Sequence, residues 1–400
     1  DWKKLTPITN AKDQIAPYTK TRNKLMKKIK VVYIHPSQLS ERWLQYYKLD
    51  ELQNIFDIEY WDCSAFANPS FKAQEMLIRP YLYVLRNENE LRENLTRIPK
   101  DSLIVCDLHK NAENYGIYKI IAKLFRQIIY INFFSNTQGA YKSKILSKLA
   151  NSSIKDIVCY FLIKRELKII NISSRNSAKS QYRINHPDYE QFQKTINQGN
   201  TIINKDFIVY IDNYFPFHPE ISKRNSSINP NRLAPLFYKS LNSFFQKIER
   251  NYGCKVIIAA HPSSVYAVNP FEGRKLIYNK TCELIKDCKA VCMHTSNAIS
   301  FAILCDKPIA LLSNAAFKEA TLEWKKLHTL SNLLSLDIIN TDETTISDSL
   351  FSPVNSKIAN QYKQEYLIAN PNANNALLFI KHFKSIYKKY CLVAKNVTLL

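Results

Sequence analysis

The sequence predicts an α/β protein made of two doubly wound, Rossmann-like domains. Short apolar runs alternate with segments of helical periodicity along most of the chain, the pattern of βαβ units and a largely parallel sheet. The alternation comes as two series separated by the polar stretch Gln191–Lys205. Several apolar runs stop at a polar or charged residue, the end at which an open parallel sheet carries its ligand.

The first series opens after a basic lead-in with Lys30-Val-Val-Tyr-Ile34, a short strand closed by His35-Pro36. Ser37–Leu52 has helical spacing, Phe56–Trp61 alternates like a half-buried strand, and Glu75–Glu93 reads as helix. Ser102–Asp107 and Gln127–Ile131 are apolar strands on either side of a helix that starts near Ala112. This series makes a domain over residues 1–195.

The second series runs strand Asp206–Ile211, helix Pro235–Tyr252, strand Lys255–Ala260, helix Lys280–Lys286, strand Ala290–Met293, helix Asn297–Leu304 and strand Pro308–Leu312. It makes a domain over residues 206–350. The remainder, 356–400, is a helical tail broken at Asn370-Pro371-Asn372 and free to return to the first domain.

Bulk composition narrows the function classes. With 46% hydrophobic residues in 400, the chain folds, and it is long enough for two cores. No apolar run reaches the roughly 18 residues needed to span a bilayer. The start, Asp1-Trp-Lys-Lys, has neither Met nor a signal-peptide apolar region, as expected of an excised domain. Nine cysteines are scattered without a C-x-x-C pair, the pattern of buried free thiols in a reducing compartment rather than of a metal site.

Only 5 glycines are present, and neither G-x-G-x-x-G nor G-x-x-x-x-G-K-S/T occurs, which argues against a dinucleotide enzyme or a P-loop NTPase. The net charge of +22 favours anionic partners: nucleotides, acidic sugars or an anionic membrane surface. Lys20–Lys30 and Tyr141–Leu149 are the densest basic runs, and the second has the apolar spacing of a helix that could dock peripherally on a membrane. No zinc finger, RNP strand or helix-turn-helix signature accompanies the charge, so nucleic acid is not expected as a partner.

The candidate chemistry sits at three strand ends. The run Val291–Met293 ends in His294-Thr295-Ser296-Asn297, whose hydroxyl and amide side chains are natural caps for a following helix. A helix start of that kind also receives phosphate. Lys255–Ala260 ends at His261-Pro262, so one phosphate between His261 and Ser296 is expected, against the plainer reading of a cap and a loop closure. Phe207–Ile211 ends in Asp212, a carboxylate followed by aromatics and two prolines. It reads as a nucleophile, as a base for an acceptor hydroxyl, or as a turn-former. Arg274 is suited to a phosphate or a sugar carboxylate, and Tyr266 to stacking.

Taken together, Asp212-Asn-x-x-Pro-x-His-Pro-Glu220, Ala260-His-Pro-x-Ser-x-Tyr266, Gly273-Arg274, Thr281 and His294-x-Ser-x-Ala-x-x-Phe-Ala-x-Leu-x-x-Lys307-Pro308 resemble the retaining β-Kdo transferases of bacterial surface-polysaccharide synthesis. The resemblance covers roughly Ile184–Leu312, and some of its pieces are shared with CMP-sialic-acid transferases. It implies a GT-B architecture with two domains facing a cleft, no metal and no cofactor. The donor would be CMP-Kdo or a related CMP-activated ulosonic acid, and the acceptor a lipid-linked glycan of O-antigen or capsule. The setting would be cytoplasmic, peripheral to the inner membrane.

By the same resemblance Asp212 would be the nucleophile. His261, Pro262, Thr295, Ser296 and Asn297 would hold the CMP phosphate. Tyr266, Arg274 and Thr281 would line the donor pocket with His294 beneath it, and His186, Asp188 and Tyr189 would lie on the acceptor side. Asn213 stands where the family carries Gln. The rival readings are an inverting CMP-sialic-acid-type transferase with Asp212 as base, a UDP- or GDP-sugar transferase, and a non-catalytic glycan- or membrane-binding module.

Overall fold

The computed structural model describes residues 28–67, 77–133, 153–177, 180–199, 201–203, 206–219, 221, 228–343 and 350–392. Most of the first basic run, all of Tyr141–Leu149, and Glu220 lie outside the described residues. Among the described residues, 28–185 and 369–392 form one compact unit and 186–368 a second.

Unit one is built on a parallel sheet of β1 (Lys30–His35), β2 (Asp57–Asp62), β3 (Leu82–Val84), β4 (Leu103–Cys106), β5 (Gln127–Asn132), β6 (Lys168–Ser173) and β7 (Tyr182–Arg183), in the order β3-β2-β1-β4-β5-β6-β7. Its helices include α1 (Glu41–Tyr47), α2 (Glu88–Arg97), α3 (Tyr115–Leu124) and α4 (Ile154–Glu166). Successive β1 residues enter different cores, Val31 and Tyr33 on one face and Val32 and Ile34 on the other, so helices cover both faces.

Two elements here differ from the sequence expectation. The helix expected over 37–52 is interrupted at Lys48, which adopts φ 56 and bonds back to Leu44 as a C-cap. The helix expected over 75–93 begins only at Glu88, because Pro80 cannot sit inside a helix and the aromatic, β-branched run after it pairs with β2 as β3.

Unit two repeats the order. Its parallel sheet contains β8 (Phe207–Ile211), β9 (Lys255–Ala260), β10 (Leu276–Tyr278), β11 (Ala290–Met293), β12 (Ile309–Ser313) and β13 (Ile338–Asn340), arranged β10-β9-β8-β11-β12-β13. Its helices include α5 (Pro187–Gln198), α6 (Pro230–Tyr252), α7 (Thr281–Asp287), α8 (Ile299–Leu304), α9 (Thr321–Leu334) and α10 (Ser356–Tyr362). β8 and β11 are buried along their whole lengths, as strands covered on both faces must be. Both sheets therefore have the Rossmann strand order, first strand beside fourth. No described helix is long and apolar enough to cross a membrane.

Helix α5 belongs to unit two, where it packs on α7 and α8, so the chain leaves unit one at Asn185 rather than near residue 195. The break at Asn370-Pro371-Asn372 divides the tail. α10 stays in unit two, and α11 (Asn375–Ile386) places Phe379, Phe383 and Ile386 in the core of unit one.

Asn185 fastens that return. It is fully buried and its amide donates to the carbonyls of Asn370 and Ala373. Its side-chain oxygen accepts from the N–H groups of Ala369 and Asn370, and its backbone exchanges bonds with the Asn375 amide. Asn185→Ala leaves those buried backbone groups unpaired and is expected to cost about 2–4 kcal/mol, read as a lower urea midpoint.

Candidate functional site

The site lies in unit two, at the carboxyl ends of β9, β8 and β11. β8 and β11 are the first and fourth strands of the sheet, so their tips flank the point where the order reverses and where such sheets bind ligands. Register sets the tips side by side: Ile211 faces both Ala259 and Met293, so the next residues, Asp212, Ala260 and His294, leave neighbouring strands together.

Asp212 is 3% exposed. Its Oδ1 accepts from the Tyr214 N–H at 2.8 Å, and its Oδ2 from the His261 N–H at 3.2 Å and the Tyr266 hydroxyl at 2.8 Å. Its own N–H is bonded to the Ala259 carbonyl. Burial raises its pKa above the ordinary carboxylate value, against the opposing pull of those donors and of nearby His218. The backbone turn that makes this possible puts Tyr214 at φ 56.

His261 is half-buried, and its Nδ1 accepts from the Ser263 N–H at 3.2 Å. In the neutral ring that bond assigns the proton to Nε2 and makes it a donor. Burial first, then the neighbouring His218, lowers its pKa, which favours the neutral form. The His218 ring meets it edge-on at 4.9 Å, and the Tyr214 ring lies nearly parallel to it at 6.5 Å. Tyr214 in turn packs edge-on against Tyr266 at 5.3 Å. Tyr214 was not singled out from the sequence, and His218 entered only as a position of the motif that follows Asp212. The signal for them was present in the loop that follows Asp212, but only the fold shows that this loop turns back over His261.

The residues after β11 separate into different environments. His294 is fully buried, held by Tyr210 Oη at 3.1 Å to Nδ1 and packed against Phe237 and Phe317. Thr295 is also buried, and its hydroxyl donates to Glu323 Oε2 at 3.2 Å. Ser296 Oγ accepts from the Ala298 N–H, and Asn297 is exposed. α8 begins at Ile299, two residues later than expected, because the chain first makes tight turns in which Ile299 and Ser300 bond back to the carbonyls of Ser296 and Asn297. Ser296 thus caps a turn, and a helix of only two turns adds little dipole.

Arg274 is committed elsewhere. Its guanidinium pairs with Glu249 at 2.8 and 3.2 Å and donates to Asn242 and to the Phe271 carbonyl, fastening the 269–274 loop to α6. That occupied fork explains its burial better than a free anion-binding role does. Pro262 is exposed beside His261, and Thr281 opens α7.

His186 and Tyr189 are buried at the start of α5. His186 Nδ1 caps the helix by accepting from the Asp188 N–H, and the Tyr189 hydroxyl accepts from Gln193. Asp188 accepts a hydrogen bond from the Ser300 hydroxyl, which joins this acidic turn to the turn after β11. Among the described residues no cluster of His, Cys, Asp or Glu is arranged for a metal ion, and all nine cysteines are free thiols.

No family model and no curated protein matches the sequence. Solved structures give remote matches. UDP-GlcNAc 2-epimerase from Methanocaldococcus jannaschii is 9% identical over 90% of this chain and 100% of its own, with a TM-score of 0.43. The glycosyltransferase SnogD from Streptomyces nogalater is 10% identical over 85% of this chain and 95% of its own, TM-score 0.43. Phytolacca americana UGT2, complexed with UDP-2-fluoro-glucose and pterostilbene, is 9% identical over 90% and 94%, TM-score 0.41.

Burial sets a pH signature. Desolvation lowers the His294 pKa to about 3, below the ordinary value of 6.5. A base depressed on folding stabilises the native state above its unfolded pKa and loses that contribution as pH falls through the folded one. Stability should therefore fall between pH 6.5 and about 3, by up to roughly 5 kcal/mol from this group. His294→Phe, which suits the Phe237 and Phe317 contacts, is expected to flatten that part of the pH dependence of urea unfolding.

Proposed function

We propose that the chain is a GT-B glycosyltransferase that moves Kdo, or a related ulosonic acid, from a CMP-activated donor to a glycan acceptor with retention of configuration. The observation that carries this reading is the Asp212 carboxylate, buried at the switch point of unit two and bonded by the backbone of the next strand tip and by Tyr266. A desolvated carboxylate held in one orientation suits attack on an anomeric carbon. In this reading the Tyr266 hydroxyl swings from Oδ2 to free the attacking lone pair.

His261, with its Nε2–H available for donation, would stabilise the departing cytidylate phosphate together with the turn at Ser296 and Asn297. Thr295 and His294 would support that turn from below, through Glu323 and Tyr210. Asp188, assigned from the sequence to the acceptor side, would fix the same turn through Ser300 and so would serve as a positioning group. The acceptor would be a lipid-linked surface glycan, met at the cytoplasmic face of the inner membrane.

Incubation with CMP-Kdo followed by intact-mass analysis tests the mechanism. A Kdo increment mapping to Asp212, and absent from Asp212→Asn, is expected. The raised pKa of Asp212 also suits a general base. An active enzyme with no adduct and an inverted product would establish that second reading.

His261→Ala is expected to weaken CMP binding and slow turnover by about 2–4 kcal/mol in total, while Asp212→Asn abolishes transfer with CMP affinity nearly intact. Thermal shifts with CMP, UDP and GDP check the donor class: stabilisation by UDP or GDP and not by CMP would sink the cytidylate assignment.

A further inference from the structure

Helix α4 in unit one turns its apolar side chains outward. Ile154 is 81% exposed, Val158 50% and Phe161 64%, with Tyr160 beside them at 38%. Ile154, Val158 and Phe161 are spaced four and three residues apart, so they form one ridge along the helix. A helix packed on a sheet normally points such a stripe at the core, yet the only buried residue of α4 is Ile163.

Polar ties supplement that small apolar contact in holding the helix. Asp156 accepts from the Ala112 N–H at 2.9 Å, and Glu166 from the Tyr115 hydroxyl at 3.2 Å. These are the two acids of α4, and both are engaged with the α3 side of the unit. The cations of the helix stay outside: Lys155, Lys164 and Arg165 are exposed, with the Lys164 ammonium over the Tyr160 ring at 4.6 Å. Lys119 and Lys123 are exposed on neighbouring α3.

An outward apolar ridge bordered by cations is the composition of a helix lying in a membrane interface. A water-facing helix gains nothing from exposing Ile, Val and Phe together, and an acidic protein surface would match the cations but not the ridge. The excess of 32 Lys and Arg over 19 Asp and Glu in residues 1–200 adds a long-range attraction to an anionic surface.

We propose that α4 docks unit one on a bilayer carrying anionic phospholipid, with the ridge of Ile154, Val158 and Phe161 entering the headgroup–acyl boundary and Lys155, Lys164 and Arg165 against lipid phosphates. This surface is separate from the Asp212 site and does not depend on the donor assigned there.

Co-sedimentation of the full chain with vesicles tests it. The protein is expected to pellet with phosphatidylcholine–phosphatidylglycerol vesicles, weakly with phosphatidylcholine alone, and to be released by high salt. Val158→Asp with Phe161→Asp should lower the partition coefficient at least about tenfold, and Lys164→Glu with Arg165→Glu by a similar factor. Because these side chains are exposed, the melting temperatures of both variants should match that of the parent. Binding to anionic vesicles that survives both double substitutions overturns the proposal. So does a dimer of the parent chain that the Val158/Phe161 variant converts to monomer, since a second copy would then be the occupant.

Discussion

Unit two is organised around the difficulty of keeping a carboxylate in a nearly dry place. Asp212 stands where three buried parallel strands end, and an unpaired charge there would cost several kcal/mol. The fold meets that cost with donors the chain supplies locally: the N–H two residues ahead, the N–H that opens the next strand's loop, and a tyrosine hydroxyl from that loop. Those same bonds bring the His261 loop beside the Asp212 loop, so the carboxylate and the imidazole are positioned by one set of contacts. A strand slipped by one residue would turn Asp212 and His294 to other faces and lose the arrangement.

The surroundings are organised to keep that geometry rigid. Tyr210 in β8 reaches across to His294 after β11, Thr295 is held by Glu323, and Asp188 holds Ser300. Each of these bonds ties a strand tip or turn to a different helix or strand of unit two. Preorganisation of this kind matters most where charge develops, because groups already oriented need not reorganise during a reaction. Unit one has a comparable fastening in Asn185, whose amide joins the chain leaving the first sheet to the chain returning at residues 369–375.

Much of the fold was legible because parallel strands buried on both faces leave continuous apolar runs. β9 and β11 match the sequence expectation at both ends, and β8 matches it to within one residue. The six-residue β6 was passed over although its isoleucines mark it, and most of the other missed elements have a signal that is weak without a partner. β10 and β13 are three-residue edge strands, and α4 hides behind apolar residues that face outward instead of inward. Asp212 and His261 were legible as strand-end residues, whereas the commitment of Arg274 to Glu249 was not, since 25 residues separate the pair.

The sequence by itself determined the α/β class, the two series of strands and the polar residues at their tips, because period and composition are local properties that neighbouring residues express without a fold. Tertiary structure decided which of those polar residues meet. It joined Asp212 to His261 and Tyr266, sent Thr295 and Arg274 to acidic partners, and assigned α5 to unit two. Those choices depend on strand order and on the pairing of buried charges across long separations, and neither is written in any short stretch of chain.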